Sequence, residues 1–371
     1  MGTQGKFFAL LRSGLWNSPI DTTLFSESVD WETILRMATM QTVNGILYDG
    51  INKLSSEKQP PASLMRKLYQ TIVCIEQSHE LLNQRLTEII PLLQSEDIGL
   101  ILLKGQGVAQ NYPNPVRRQC GDIDLYVGKE DCEKATELLL SIGVEPENKT
   151  KKKSSKHENF YLKGVSIELH FLAEKLQNPI YNKRFQNWTG YHLHGNNQRK
   201  WSLNNTEILL PPVNFNALYI FNHAFHHLIS GGIGLRQLCD WTLFLYTFNN
   251  QIDKEELYKD LKSFGLLHAW KIFGYIVVNY LGLNEDIFPF YSDKYKNESE
   301  KVLKKILQSG NFGFYNPGKS EHPTGFLSGK FHSFLLKQKW LIDIFPIFPK
   351  EVFTFYIHYW CNGMTNIIKG R

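Results

Sequence analysis

Two aspartates one residue apart, Asp122 and Asp124 in DIDLYV (122–127), are the first candidates for chemistry in this chain. In an extended segment successive side chains alternate faces, so the two carboxylates share one face while Ile123 and Leu125 point into a core. Carboxylates held side by side repel and raise each other's pKa, which makes a cation between them the natural partner. An all-oxygen donor set favours a hard ion, Mg²⁺ or Mn²⁺. A third carboxylate is offered by VSIELHF (165–171), where Val165, Ile167, Leu169 and Phe171 fall on one face and Ser166, Glu168 and His170 on the other. If this strand pairs beside DIDLYV, Glu168 converges on the same metal face. Two ions ~3.5–4 Å apart, clamped by three carboxylates, serve in-line displacement at phosphorus: one activates the attacking oxygen, the other steadies the leaving pyrophosphate.

Phosphate needs positive partners. Lys104-Gly105-Gln106-Gly107 follows an apolar run and opens a helix, where free backbone N–H groups suit phosphate and glycine lets the backbone approach closely. Lys104, Arg117 and Arg118 add charge near the carboxylates. His170, on the face of Glu168, is placed for a hydrogen bond to that carboxylate or to substrate. Further on, His223, His226 and His227 lie on one predicted helix. They read as polar-interior histidines, as substrate or phosphate contacts, or as a zinc site with no obvious third ligand. Arg236 and Asp240, four residues apart, either pair along a helix or line the cleft.

The elements that must hold these residues are legible from periodicity. Apolar residues at helical spacing run from Asp30 to Gln94, interrupted by the loop SSEKQPP. GLILLK (99–104) reads as a buried strand, DIDLYV as a second, KEDCEKATELLLSIG (129–143) as an amphipathic helix, and ENFYLKGVSIELHF (158–171) as a hairpin around Lys163-Gly164. From about Pro211 helical periodicity returns. The prediction is α+β: a small mixed-sheet unit inserted between an N-terminal helical region and a larger C-terminal helical domain, with boundaries 1–95, 96–200 and 201–371. From about Asn311 the chain predicts short helices and ordered loops. The basic run Lys149–Lys156 reads as a solvated loop or a nucleic-acid contact.

Composition narrows the class. In 371 residues, 42% hydrophobic and 21% charged residues match a globular protein rather than a disordered one, and 13% aromatics call for a large core. A formal charge of +5 is too mild for nonspecific coating of nucleic acid. Five scattered cysteines without a C-x-x-C pair indicate neither a disulfide framework nor a zinc cage and suit a reducing cytoplasm. The amino terminus shows no cleavage pattern, Lys6 stands where a myristoylation signal needs Ser or Thr, and no clean run of ~18 apolar residues exists, so no membrane partner is expected.

Taken in order, the glycine turn, the D-h-D strand and the later h-E-h strand resemble the polymerase-beta-like nucleotidyltransferase superfamily. More narrowly, LLKGQGVAQNYPNPVRRQCGDIDLYV followed by VSIELHF resembles an uncharacterised bacterial nucleotidyltransferase family reading L-K-G, Y-P, R-x-x-x-D-h-D and E/D-L-H. WETILRMATMQTVNGILY and NHAFHHLISGGIGLRQLCDWTLFL extend the likeness from about Trp31 to Leu245. The resemblance implies that Asp122, Asp124 and Glu168 are catalytic metal ligands, that Gly105 and Gly107 face phosphate, and that Lys104 and Arg118 contact it. It also implies Mg²⁺ (or Mn²⁺) as cofactor and an NTP as substrate, with a hydroxyl acceptor on a small molecule, protein or RNA and no DNA partner. One departure stands out: the superfamily's Gly-Gly or Gly-Ser turn is Gly105-Gln106 here, so the serine hydroxyl that touches phosphate is absent. Alternatives to transfer are a fold retained as a binding scaffold, and an RNA-modifying toxin.

Overall fold

A computed structural model of the chain describes residues 2–146, 156–316, 318 and 325–368. Residues 149–155 of the basic run lie outside the described residues. The chain opens with α1 (Thr3–Trp16), α2 (Trp31–Gln41), α3 (Asn44–Ile51) and the long α4 (Ala62–Ser95). The helical periodicity of 31–51 resolves into two helices because Thr42 adopts a left-handed backbone (φ 54°) that ends α2. Asp30 starts that helix by accepting the Thr33 N–H at 3.0 Å.

The chain then builds its sheet from β1 (Ile101–Leu102), a one-turn α5 (Gln106–Ala109), β2 (Asp122–Tyr126), α6 (Gly128–Ser141), β3 (Glu145–Pro146), β4 (His157–Leu162) and β5 (Val165–His170). Spatial order is β1-β2-β5-β4-β3; β2 and β5 run parallel and the other neighbours antiparallel. The run GLILLK thus gives only two strand residues. Next come α7 (Pro179–Leu193) and a hairpin of β6 (Arg199–Leu203) and β7 (Thr206–Leu210). Its turn is Asn204-Asn205, both at positive φ, which suits a two-residue connection. Helices follow: α8 (Val213–Ser230), α9 (Leu235–Thr247), α10 (Lys254–Ser263), α11 (Leu267–Asn279) and α12 (Lys296–Ser309).

The tail corrects the expectation of short helices and loops. It holds α13 (Phe326–Ile344), 19 residues long, and α14 (Pro349–Ile368), 20 residues long. Trp340, Leu341 and Ile344 bury one side of α13, and Pro349 is the first residue of α14, where its missing N–H costs nothing. Among the described residues no helix is long and apolar enough to cross a membrane.

The sheet presents two different faces. Ile123, Leu125, Ile167 and Leu169, all fully buried, join Leu86, Ile89 and Ile90 of α4, Ala135 and Leu139 of α6, and Ile208 of β7. Removing each of these leucine and isoleucine side chains from water is worth roughly 1.5–3 kcal/mol. The opposite face carries Tyr126 against Phe215 and Tyr219 of α8, and beside them the polar residues of β2 and β5. A separate, larger core takes Phe7, Leu10 and Leu11 from α1 together with Phe221, Trp241, Trp270 and Phe273, so helices from before and after the sheet pack as one body. The α+β architecture places the polar sheet face opposite α8.

Candidate active site

The parallel pairing of β2 with β5 sets Asp124 opposite Glu168 and Asp122 opposite Ser166. Residues in register on neighbouring strands share a face, so Asp122, Asp124 and Glu168 converge. One carboxyl oxygen from each lies within 4.8 Å of the others. Repulsion from Asp124, with burial second, pushes the Asp122 carboxyl up to about 6. Burial would also raise Asp124, but the Lys104 ammonium and His170 outweigh it and hold that carboxylate well below its usual range. Lys104 Nζ is 3.0 Å from Asp124 Oδ1, and His170 Nε2 is 3.0 Å from the same oxygen. The all-oxygen donor set fits a hard divalent ion, which would compete with Lys104 and His170 for Asp124 Oδ1.

His170 also lies 3.2 Å from Glu168 Oε2, so it contacts the carboxylate directly. Burial works against its charge, yet the bonds to Asp124 and Glu168 raise its pKa above the ordinary value. Lys104 reaches Asp124 from just past the end of β1, where Gly105 turns the chain at φ 58°, ψ −121°, a conformation that L residues rarely adopt. A Cβ at Gly105 would sit 3.4 Å from the Asp122 carbonyl oxygen.

The glycine turn differs from the phosphate cradle read from the sequence. The helix it opens is four residues long, and the N–H groups of Gly107 and Val108 bond back to the carbonyls of Lys104 and Gly105. Gly107 has a packing role, since a Cβ there would meet the Leu210 side chain at 2.6 Å. Gln106 is fully buried, and neither polar atom of its side chain has a hydrogen-bond partner.

The two arginines are both engaged by other carboxylates. Arg117 pairs with Asp49 and, at 3.0 Å, with Glu76 in the helical region, and stacks over Tyr48; it does not line the cleft. Arg118 borders the cleft but its guanidinium makes two 2.7 Å bonds to Asp240, which accepts a third from Tyr112. Asp240 therefore pairs with Arg118 rather than along its own helix with Arg236. Arg236 lines the cleft, bonds the Gln119 carbonyl, and leaves Nε without a partner.

On α8, His223 and His227 line the cleft while His226 borders a different pocket. His223 Nδ1 is 3.2 Å from Glu174 Oε2, and its Nε2 is 3.4 Å from Lys104 Nζ. Burial, reinforced by the Lys104 charge, pushes His223 down to about 4, so the neutral ring donates to Glu174 and accepts from Lys104. Glu174 is a residue that motif reading missed. It is 1% exposed, bonds Lys156 at 2.7 Å, and is kept ionised by that ammonium and His223 despite burial. It sits in an irregular stretch after β5, where no period marks it. His157, opposite His170 across β4 and β5, is another cleft residue that no motif announced.

The sequence matches, over residues 27–282, the family model described as uncharacterised nucleotidyltransferase. The chain belongs to that family. The matched span carries Lys104, Asp122, Asp124, Glu168, His170, Glu174, His223 and Arg236, so the polar residues of this nucleotidyltransferase-family cleft fall inside the family's own boundaries, while Phe312, which also lines it, lies beyond them. A crystal structure described as an antigenic nucleotidyltransferase-like protein from Paracoccidioides brasiliensis is similar at 14% identity and a TM-score of 0.33, over 57% of this chain and 93% of that one. No curated protein matches the chain.

Proposed function

We propose that the protein is a divalent-ion-dependent nucleotidyltransferase, with Mg²⁺ at the Asp122–Asp124–Glu168 face, that moves a nucleoside monophosphate from an NTP to an acceptor hydroxyl. The observation that carries this reading is the convergence of those three carboxyl oxygens within 4.8 Å on adjacent parallel strands, at the floor of a cleft that also holds Lys104 and Arg236. In the transfer the acceptor oxygen forms a bond to the α-phosphorus, the bond from that phosphorus to the bridging oxygen breaks, and pyrophosphate leaves. Divalent ions, when bound, supply charge neutralisation at the phosphates and a more acidic acceptor hydroxyl.

The chain's own groups divide the remaining work. Glu168, partly open to the cleft, takes the proton of the acceptor. Lys104, fixed between Asp124 and His223, holds the Asp124 carboxylate in place and brings positive charge to the phosphate end. Arg236, whose side chain lines the cleft, is the guanidinium placed to meet a phosphate oxygen, the role that the resemblance assigns to Arg118.

A labelled-NTP transfer assay with Mg²⁺ and a cell extract tests the reading, with Asp122→Asn as the control. Label in a small molecule, protein or RNA with the wild type and none with the variant supports it and names the acceptor. Equal labelling by both proteins would overturn it. The buried, partnerless amide of Gln106 in the phosphate turn favours one second reading, a fold retained as a binding scaffold. Calorimetry separates the two: a scaffold shows no Mg²⁺-coupled NTP binding.

A further inference from the structure

Beside the all-oxygen face lies a second donor set of a different kind. His157 of β4 is directly opposite His170 of β5, and residues paired across antiparallel strands point to the same side. Both rings reach the carboxylate two residues before His170: His157 Nδ1 and His170 Nε2 are each 3.2 Å from Glu168 Oε2. One ligand atom from each of the three lies within 4.8 Å of the others, and the two rings pack edge to face at 4.8 Å between centroids. His170 turns its other nitrogen, Nδ1, toward the Leu172 carbonyl at 3.4 Å. That back-side contact is the usual way a ligating imidazole is oriented.

We propose that His157, Glu168 and His170 form a cation position that selects a transition ion, Mn²⁺, Co²⁺ or Zn²⁺, over Mg²⁺, and that it shares Glu168 with the Asp122–Asp124 position. Imidazole nitrogen suits these ions, whereas Mg²⁺ takes oxygen donors and keeps its water. The two positions thus differ in chemistry although one carboxylate serves both. Glu168 belongs to both donor sets, and His170 Nε2, 3.2 Å from Glu168 Oε2 and 3.0 Å from Asp124 Oδ1, marks where the two positions adjoin. The inference concerns the site of the proposed function but needs no transfer activity.

Manganese itself is the probe. Purified protein is titrated with MnCl₂ while free Mn²⁺ is read by room-temperature electron paramagnetic resonance, first alone and then against excess MgCl₂, with circular dichroism to check the fold of each variant. The wild type is expected to keep one Mn²⁺ that excess Mg²⁺ does not displace. Asp122→Asn keeps that ion, and His157→Gln binds it at least tenfold more weakly, on the order of what losing a metal-site partner costs. Complete displacement of Mn²⁺ from the wild type by Mg²⁺, or a Mg²⁺-resistant ion undiminished in folded His157→Gln, would overturn the proposal. A Mg²⁺-resistant ion in a protein that transfers no nucleotide would leave this inference standing and sink the proposed function alone.

Discussion

Arg118 and Asp240 face each other through two parallel 2.7 Å bonds in the protein interior, 5% and 8% exposed at their side chains. Burial disfavours the charge of Asp240, and the guanidinium more than offsets that, so the pair is ionised. Removing one partner of such a pair strands the other charge and costs roughly 3–5 kcal/mol, whereas replacing both with apolar groups is far milder. Arg118→Met is therefore expected to lower stability in urea unfolding by about that amount, and Arg118→Met with Asp240→Leu to recover much of it. A normal urea midpoint in the single variant together with weakened NTP binding would return Arg118 to the phosphate role.

Lys104 offers a test of what the carboxylates require. With its ammonium replaced by a thioether in Lys104→Met, Asp124 loses the group 3.0 Å away and stays buried. In EDTA the variant is expected to be less stable by roughly 3–5 kcal/mol. Saturating MgCl₂ should then stabilise it more than it stabilises wild type, because an ion bound only by the folded state at a hundred times its Kd contributes about 2.7 kcal/mol. Urea titrations with and without MgCl₂ measure this, and an equal response in both proteins would argue against an ion at Asp124.

Asp122 predicts a pH dependence whose sign is fixed by the direction of its shift. Its folded pKa of about 6 lies above the ordinary aspartate value of 3.8, so between those values the folded state holds more protons than the unfolded one. The contribution of this group is thus present at low pH and lost as pH rises through about 6. Asp122→Asn removes the loss: in EDTA the variant should exceed wild type by about 3 kcal/mol at pH 7.5 and come close to it near pH 4. Thermal unfolding at the two pH values gives the comparison, and a variant that is less stable at pH 7.5 would refute the repulsion.

How much of this was legible beforehand depends on range. The D-h-D strand and the E-L-H strand follow from a two-residue period, which places Asp122 with Asp124 on one face and Glu168 with His170 on another; the parallel pairing of β2 with β5 makes those faces one. Partners across the chain were not legible. Arg118 finds Asp240 at a separation of 122 residues and Arg117 finds Asp49 at 68, and nothing local to either arginine announces those choices. Glu174 and His157 were missed for a related reason, since each acquires its role only when α8 or β5 is brought against it. The Asn204-Asn205 turn, by contrast, was a local signal that the sequence reading passed over.

Gly105 and Gly121 flank the same cleft and should respond differently to a methyl group. Gly105→Ala forces an L residue to φ 58°, ψ −121° and is expected to cost about 1–3 kcal/mol and to shift Lys104. Gly121→Ala meets nothing within 4 Å and should stay within about 0.5 kcal/mol of wild type. Differential scanning calorimetry of the two distinguishes backbone strain from mere proximity to the aspartates.

The long helix α4 has an engineering consequence. Its first half gives Leu68, Ile72 and Ile75 to the core shared by the flanking helices, and its second half gives Leu82, Leu86, Ile89, Ile90 and Leu93 to the sheet. At 1.5 Å per residue its 34 residues make a beam about 50 Å long fastened at both ends. The strands bearing the carboxylates are thus not a portable cassette. A fragment cut at residue 96 would strip the sheet of the wall that closes its apolar side, and any transplant of this chemistry must carry the beam with it.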